Sequence, residues 1–205
     1  YLVTAIAFVY LKPKALLALC GSLLVGYWAL MTFVPVPEVG AGNFAEGKNL
    51  ANYIDKHYLP LFKWDGDHDP EGLLSTLPAI GSCLLGVFAG LWLRRGDVDE
   101  PRKVSMLFAV GAAGVVLGFI WGLQFPIIKK LWTSSFVLVA GGFSAILLGL
   151  FYFVIDIKKV DWWATPFIWI GTNAITIYML VHIVDLPKLA ERVVGGPIKA
   201  WLDGI

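Results

Sequence analysis

The sequence has almost no surplus charge of either sign and few cysteines and histidines. Sixteen Lys and Arg stand against 15 Asp and Glu, a formal charge of +1. There is no basic field or basic low-complexity tail for a polyanion, so nucleic acid is not an expected partner. The two cysteines, Cys20 and Cys83, lie inside apolar runs without metal-ligand spacing, and both read as packing residues. Histidine is limited to His57, His68 and His182. The sequence also lacks a strand pattern, an internal repeat, and the basic region and small-residue cleavage site of a signal peptide. It opens without Met in what reads as the last turns of an apolar helix, residues 1–11. The expectation is an internal or C-terminal piece of a larger protein, with residues 1–205 forming one transmembrane domain.

What the sequence has in quantity is apolar residues: 58% of the chain, nine Trp and a mean hydropathy of +0.75. That composition is of a membrane protein. Apolar runs at 15–34, 72–93, 104–125, 136–155 and 166–184 are each long enough to cross the hydrocarbon core at about 1.5 Å of rise per residue. The expected fold is all-α, a polytopic transmembrane helical bundle of about five full spans plus part of another, with short amphipathic surface helices. Small residues recur every four positions: Ser82, Gly86 and Gly90, then Gly114, Gly118 and Gly122, then Gly141, Ala145 and Gly149. Lipid supplies no hydrophobic force between helices, so these positions read as packing notches.

Between the first two spans lies the most polar stretch, an extramembranous loop over 35–71. Within it Leu50, Tyr53, Ile54, His57 and Tyr58 fall on one helical face behind Asn49, and Pro60 stops the pattern. A short amphipathic helix is expected, lying on the membrane or roofing a cavity. A second is expected over Leu186, Leu189, Ala190, Val193 and Val194. At the end of the loop, Asp69, Pro70 and Glu71 suit the start of a membrane helix, with Asp69 as cap and Pro70 at the first position. The same carboxylates, with His68 nearby, also suit a polar substrate at a membrane boundary. Asp65, Asp67, His68, Asp69 and Glu71 cluster in sequence, yet Asp-rich loops arise as solvated turns, and no metal site is expected from them.

Alternation of the spans divides the 16 cations eight to each side. Lys12, Lys14, Arg94, Arg95, Arg102, Lys103, Lys158 and Lys159 sit hard against the spans in short loops, where the positive-inside rule counts most. That side is read as cytoplasmic, so loop 35–71 is expected to face the periplasm or an equivalent lumen, with a bacterial inner membrane as the expected setting. Lys129 and Lys130 then break the rule. Either they snorkel to head groups, or they bind an anion entering the bundle, with Trp132 beside them and Thr133, Ser134 and Ser135 as donors at a helix N-terminus. In the fifth span Thr172, Asn173 and Thr176 share a face. Asn173 reads either as an interhelical hydrogen-bonding residue or as a functional amide. Tyr178 and His182 form a separate pair one turn apart.

The ordered segments Asp69 to Thr76, Leu85 to Gly90, Phe125 to Ser135, Val154-Ile155-Asp156, Thr165-Pro166-Phe167 and Gly171 to Ile175 together resemble the heparan-alpha-glucosaminide N-acetyltransferase family and its bacterial relatives. The resemblance implies a membrane acyltransferase that takes acetyl from acetyl-CoA, as co-substrate, and places it on the amino group of a glucosamine-type sugar across the membrane. By the same resemblance Asp69 and Glu71 would shape the sugar-side mouth or position its amine. Lys130 or Lys129, with Trp132, Thr133 and Ser135, would line the acyl-donor site, and Asn173 would hydrogen-bond within the channel. The family's hairpin carries an Asn-Lys pair where this chain has Lys129-Lys130, so Lys130 is the better match. The family's proposed catalytic His lies in spans before the one that opens this chain, so no histidine here is assigned that role. Implied partners are acetyl-CoA, the amino-sugar acceptor and the lipid bilayer; a homo-oligomer is allowed. The competing readings are a transporter or flippase for a polar or sugar-containing solute, and a structural subunit.

Overall fold

A computed structural model describes residues 1–60 and 62–184. The chain forms two compact units, Tyr1–Ile157 and Lys158–Ile205. The described residues are helical, without strands; one isolated bridge pairs Val36 with Gly40. Four helices are long and apolar enough to cross a membrane, and a fifth span is present if a bent pair is counted as one.

In the first unit, α1 (Leu2–Tyr10) and α2 (Pro13–Phe33) are separated at Lys12. Pro13 holds the residue before it extended, and Lys12 has φ −70° and ψ 155°, whereas Pro itself suits the first helical turn. Pro35 ends α2 in the same way, with Val34 extended. The loop helix, α3 (Leu50–Tyr58), forms where its periodicity places it, with the Asn49 side chain accepting from the Asn52 amide at 2.9 Å. It roofs the bundle. Leu50 and Ala51 join Tyr27, Met31, Val36, Phe125 and Leu131 in one buried cluster.

The second span, α4 (Thr76–Leu93), starts four residues later than the expected start at residue 72. Asp69 does not cap it, and Pro70 is not in its first turn. The Asp69 carboxylate instead closes two local turns, accepting from Trp64 N and Glu71 N, each at 2.9 Å. The amides of residues 71–73 have acceptors before the helix begins: Glu71 N and Gly72 N donate to Asp69, and Leu73 N donates to the buried Asp55 carboxylate at 2.9 Å.

The third span, α5 (Glu100–Gly122), starts four residues earlier than its apolar run. Pro101 suits the first turn, Glu100 meets the positive end of the helix dipole, and Lys103 turns in to pair with Glu100 at 3.1 Å. Arg102 and Lys103 are therefore helical, not loop residues. The fourth span, α6 (Ser134–Phe151), continues through a π-helical turn, Tyr152–Ile157, whose Tyr152 hydroxyl donates to Glu100.

The notches lie mainly between α5 and α6. A Cβ on Gly142 would sit 2.6 Å from Gly111 O and 2.7 Å from Val115 N, and one on Gly118 would sit 2.9 Å from Val139 N. Helix α4 approaches α2 at Gly81, where a Cβ would stand 2.9 Å from Leu24 Cδ2. Gly86 and Gly90 face open space in this structure, so the stripe read on α4 is not a notch there. Its remaining member, Ser82, accepts from Trp132 Nε1 at 2.9 Å.

In the second unit the expected fifth span is broken. Helices α7 (Thr165–Thr172) and α8 (Ala174–Ile183) meet at Asn173 with a bend of 74°. The amphipathic segment read over Leu186 to Val194 lies outside the described residues.

Candidate functional site

The hairpin between α5 and α6 is built on hydroxyl groups. Thr133, Ser134 and Ser135 are fully buried. Thr133 caps α6 by accepting from Phe136 N, and its Oγ1 also accepts from Ile128 N at 3.1 Å. Ser135 donates to Phe125 O and Ser134 to Leu24 O, each at 2.6 Å. Tyr27, buried in α2, donates its phenol to Leu131 O at 2.6 Å. Every one of these hydroxyls is engaged with backbone, which fixes the hairpin and positions the side chains on either side of it.

Trp132 adopts φ 52°, the left-handed region that a bulky residue rarely occupies. Its indole lies over α4, anchored on Ser82 and packed edge-on against Phe136 at 5.5 Å between ring centres. There it lines a recess of about 340 Å³ with Pro70, Glu71, Ser75, Thr76 and Ala79. The two family-implied groups Glu71 and Trp132, 61 positions apart, therefore share one recess. Glu71 is exposed, and among the described residues its carboxylate has no hydrogen-bond or ion-pair partner. An adjoining recess of about 420 Å³ is lined by Trp64, Asp69, Pro70 and Glu71. Asp69 and Glu71 thus differ: the first is occupied by backbone amides and the second is available to a ligand.

Lys130 does not stand free. Its ammonium lies 2.7 Å from Glu46 Oε1 and 3.0 Å from Asp65 Oδ2, and these bonds raise the lysine's pKa and lower that of Glu46. The contact ties the α5–α6 hairpin to the loop before α4, so both lie at one end of the bundle. Lys129 is exposed and has no ion-pair partner among the described residues. Around Lys130 is a third recess, of about 220 Å³, whose lining includes Glu46, Asn49, Asp65 and His68. Here the fold brings Glu46 and Lys130 to Asp65 and His68, which cluster in sequence. Glu46 was not singled out, and no periodicity or spacing connects it with Asp65 and His68.

Two further residues shape this end of the bundle and were not singled out. Asp55, on α3 and 1% exposed, accepts from the Leu73 amide across 18 residues. Burial pushes its carboxyl up, against the opposing pull of the Leu73 and Asp69 amides. Gly72 is its counterpart, since a Cβ there would overlap all three atoms of the Asp55 carboxylate. A single Asp in a polar loop helix carries no sequence signal for such a role.

Asn173, in the second unit, is exposed at the helix break, and its Nδ2 donates to Trp169 O at 2.8 Å. Its hydrogen bond is thus within its own helix. Thr172 does the same through Ile168 O. Tyr178 and His182 stack at 4.2 Å between ring centres.

No protein-family model matches the sequence. Two curated proteins do align with it. Heparan-alpha-glucosaminide N-acetyltransferase of Homo sapiens is 31% identical over 203 residues, covering 82% of this chain and 29% of that protein. The Mus musculus protein of the same name is 30% identical over 193 residues, covering 77% of this chain and 28% of its own length. The chain thus spans less than a third of the length of these relatives. Its ordered motifs and this similarity agree: the chain is related by sequence to the heparan-alpha-glucosaminide N-acetyltransferases over about four fifths of its own length.

Proposed function

We propose that the chain is part of an integral membrane acetyltransferase that moves acetyl from acetyl-CoA to the amino group of a glucosamine-type sugar across the membrane. The observation that carries this reading is the similarity to two N-acetyltransferases along most of the chain. The loop-bearing end of the bundle faces the acceptor, on the periplasmic side of a bacterial inner membrane or its equivalent.

The chemistry needs an amine that has lost its proton before it attacks the thioester carbonyl. A C–N bond forms, the C–S bond breaks, and CoA leaves as the thiol after taking up a proton. Glu71 is the group in this chain suited to hold the acceptor. Its free carboxylate at the recess it shares with Trp132 receives the sugar ammonium, while the indole offers a flat apolar face to a sugar ring. Asp69 sets the Glu71 backbone through its bond to the Glu71 amide. Lys129 and Lys130 lie at this same acceptor-facing end, Lys130 bound to Glu46 and Asp65 of the loop, so the charged head of a donor on the opposite side of the membrane is not assigned to them. Thr133 and Ser135 act as positioning residues, because their hydroxyls are bonded to the protein itself. None of the three histidines is assigned the base; His57 and His182 each have Nδ1 2.8 Å from a carbonyl oxygen of their own helix.

The test is acetyl transfer by the full-length protein in nanodiscs, with radiolabelled acetyl-CoA and glucosamine. Labelled N-acetylglucosamine is expected, with Glu71→Gln reducing turnover at unchanged expression and melting temperature. Absence of both CoA binding and product would refute the reading. One observation favours a second reading, a transporter for a polar solute: the break at Asn173, since discontinuous helices build transporter sites. Solute accumulation that persists without acetyl-CoA would select it.

A further inference from the structure

The recess around Lys130 holds a donor set that the acetyl-transfer reading does not use. One oxygen each of Glu46 and Asp65 and a ring nitrogen of His68 all lie within 4.8 Å of one another. The imidazole is oriented from behind: Nδ1 is 2.8 Å from Asp67 Oδ1, and Asp67 is held in turn by Lys56 at 3.2 Å. With Nδ1–H donating to that carboxylate, Nε2 is the nitrogen presented to the recess. His68 is 8% exposed, and its Nε2 is buried with no hydrogen-bond partner. It stands 3.5 Å from Glu46 Oε1. A buried polar atom without a partner is costly, and this one points at two carboxylates already arranged around a positive charge.

That charge is the Lys130 ammonium, bound to Glu46 and Asp65. The lysine side chain is 55% exposed, so it can swing into solvent at small cost. The space it leaves belongs to a recess of about 220 Å³, enough for an ion and several waters at about 30 Å³ each. Two carboxylates and one imidazole, with a position open to water, suit zinc and similar borderline ions; magnesium and calcium prefer oxygen alone. A carboxylate behind the ligating histidine is the usual support of such a site, fixing the tautomer and raising the basicity of the ring.

We propose that Glu46, Asp65 and His68 form a binding site for a divalent cation of the zinc class, with Lys130 the cation that occupies its carboxylates when the metal is away. The site stands independently of the acetyl-transfer reading.

The test is a competition titration of the chelator-stripped full-length protein in nanodiscs with zinc chloride against a fluorescent zinc chelator. One zinc per chain is expected to be lost in His68→Ala. Asp67→Asn, which does not touch the metal, is expected to weaken binding about 10- to 100-fold. Lys130→Met is expected to tighten it several-fold by removing the competing ammonium. X-ray absorption of the zinc-loaded protein should show an imidazole in the first shell that disappears in His68→Gln. That variant keeps most of the side-chain volume and serves if His68→Ala does not fold, with the melting temperature of the stripped proteins as the check. Zinc binding equal in wild type and His68→Gln, or unchanged in both Asp67→Asn and Lys130→Met, would overturn the site. Binding of magnesium as tight as zinc would overturn its class.

Discussion

Gly72→Ala is the substitution that most directly probes how the loop is seated on the bundle. The added methyl would overlap the Asp55 carboxylate, which is 1% exposed and bonded to Leu73 N at 2.9 Å. Something has to move. Overpacking of a well-packed site costs about 1–3 kcal/mol, and a hydrogen bond to a charged group contributes about 1.5–3 kcal/mol. Displacing the carboxylate puts both at risk, so a loss of about 2–4 kcal/mol is expected. Asp55→Ala alone loses the hydrogen bond and some packing, at about 2 kcal/mol, but it also empties the space into which the Gly72→Ala methyl points. The two changes should therefore be strongly non-additive, with the double variant at least about 1 kcal/mol more stable than the sum of the singles. The assay is equilibrium unfolding of wild type, both singles and the double variant in mixed micelles, with melting temperature as a second readout. Additive effects would show that the collision is relieved without moving Asp55, and the argument for a seated loop would be wrong. Asp55→Asn keeps an acceptor for Leu73 and removes a charge that burial disfavours, so it should be tolerated far better than Asp55→Ala.

Gly142→Ala and Gly118→Ala should each destabilise the α5–α6 pair by about 1–3 kcal/mol, whereas Gly86→Ala and Gly90→Ala, in open space, should gain up to about 1 kcal/mol from helix propensity; thermal unfolding of the four variants distinguishes them. Ser135→Ala leaves the Phe125 carbonyl without its buried donor and should cost about 1–3 kcal/mol, measured the same way. The clasp should be sensitive to acid. Lys130 holds the Glu46 carboxyl below its ordinary value, and His68 with Lys56 does the same for Asp67. Carboxyls depressed on folding contribute stability that is present above their unfolded values near pH 4 and lost as pH falls through the folded ones. Protection of the loop amides before α4, taken relative to their intrinsic exchange rate at each pH, should therefore fall below about pH 4, and Lys130→Met should remove most of the Glu46 part of that dependence.

The spans were legible in the sequence because lipid imposes a local requirement. Every backbone group must be satisfied within its own segment, so a run of about 20 apolar residues already declares a helix. The prolines were legible for a similar reason: Pro13 and Pro35 act on the residue beside them, and the ends of α2 fall next to both. Asn49, Leu50 and the residues after them gave the loop helix through local periodicity and a local cap. The start of α4 was misplaced because the partner that satisfies Leu73 is Asp55, 18 residues away, and no local rule counts a distant acceptor. The break at Asn173 was missed because hydropathy is the same in one straight helix and in two helices bent at 74°.

The functional end divides in the same way. Glu71, Trp132 and Lys130 could be picked out one at a time, from charge at a boundary and from short ordered motifs. Sequence alone determined the membrane class, the helical elements and the kinship, all of which rest on composition and order along the chain. The tertiary structure decided which carboxylate is free and which is occupied, that the hydroxyls of Thr133 and Ser135 face inward, and that Glu46 meets Asp65, His68 and Lys130. Those outcomes depend on which side chains loops 34–75 and 123–133 bring to one end of the bundle, and a charge chooses its partner by distance in space, not by separation in sequence.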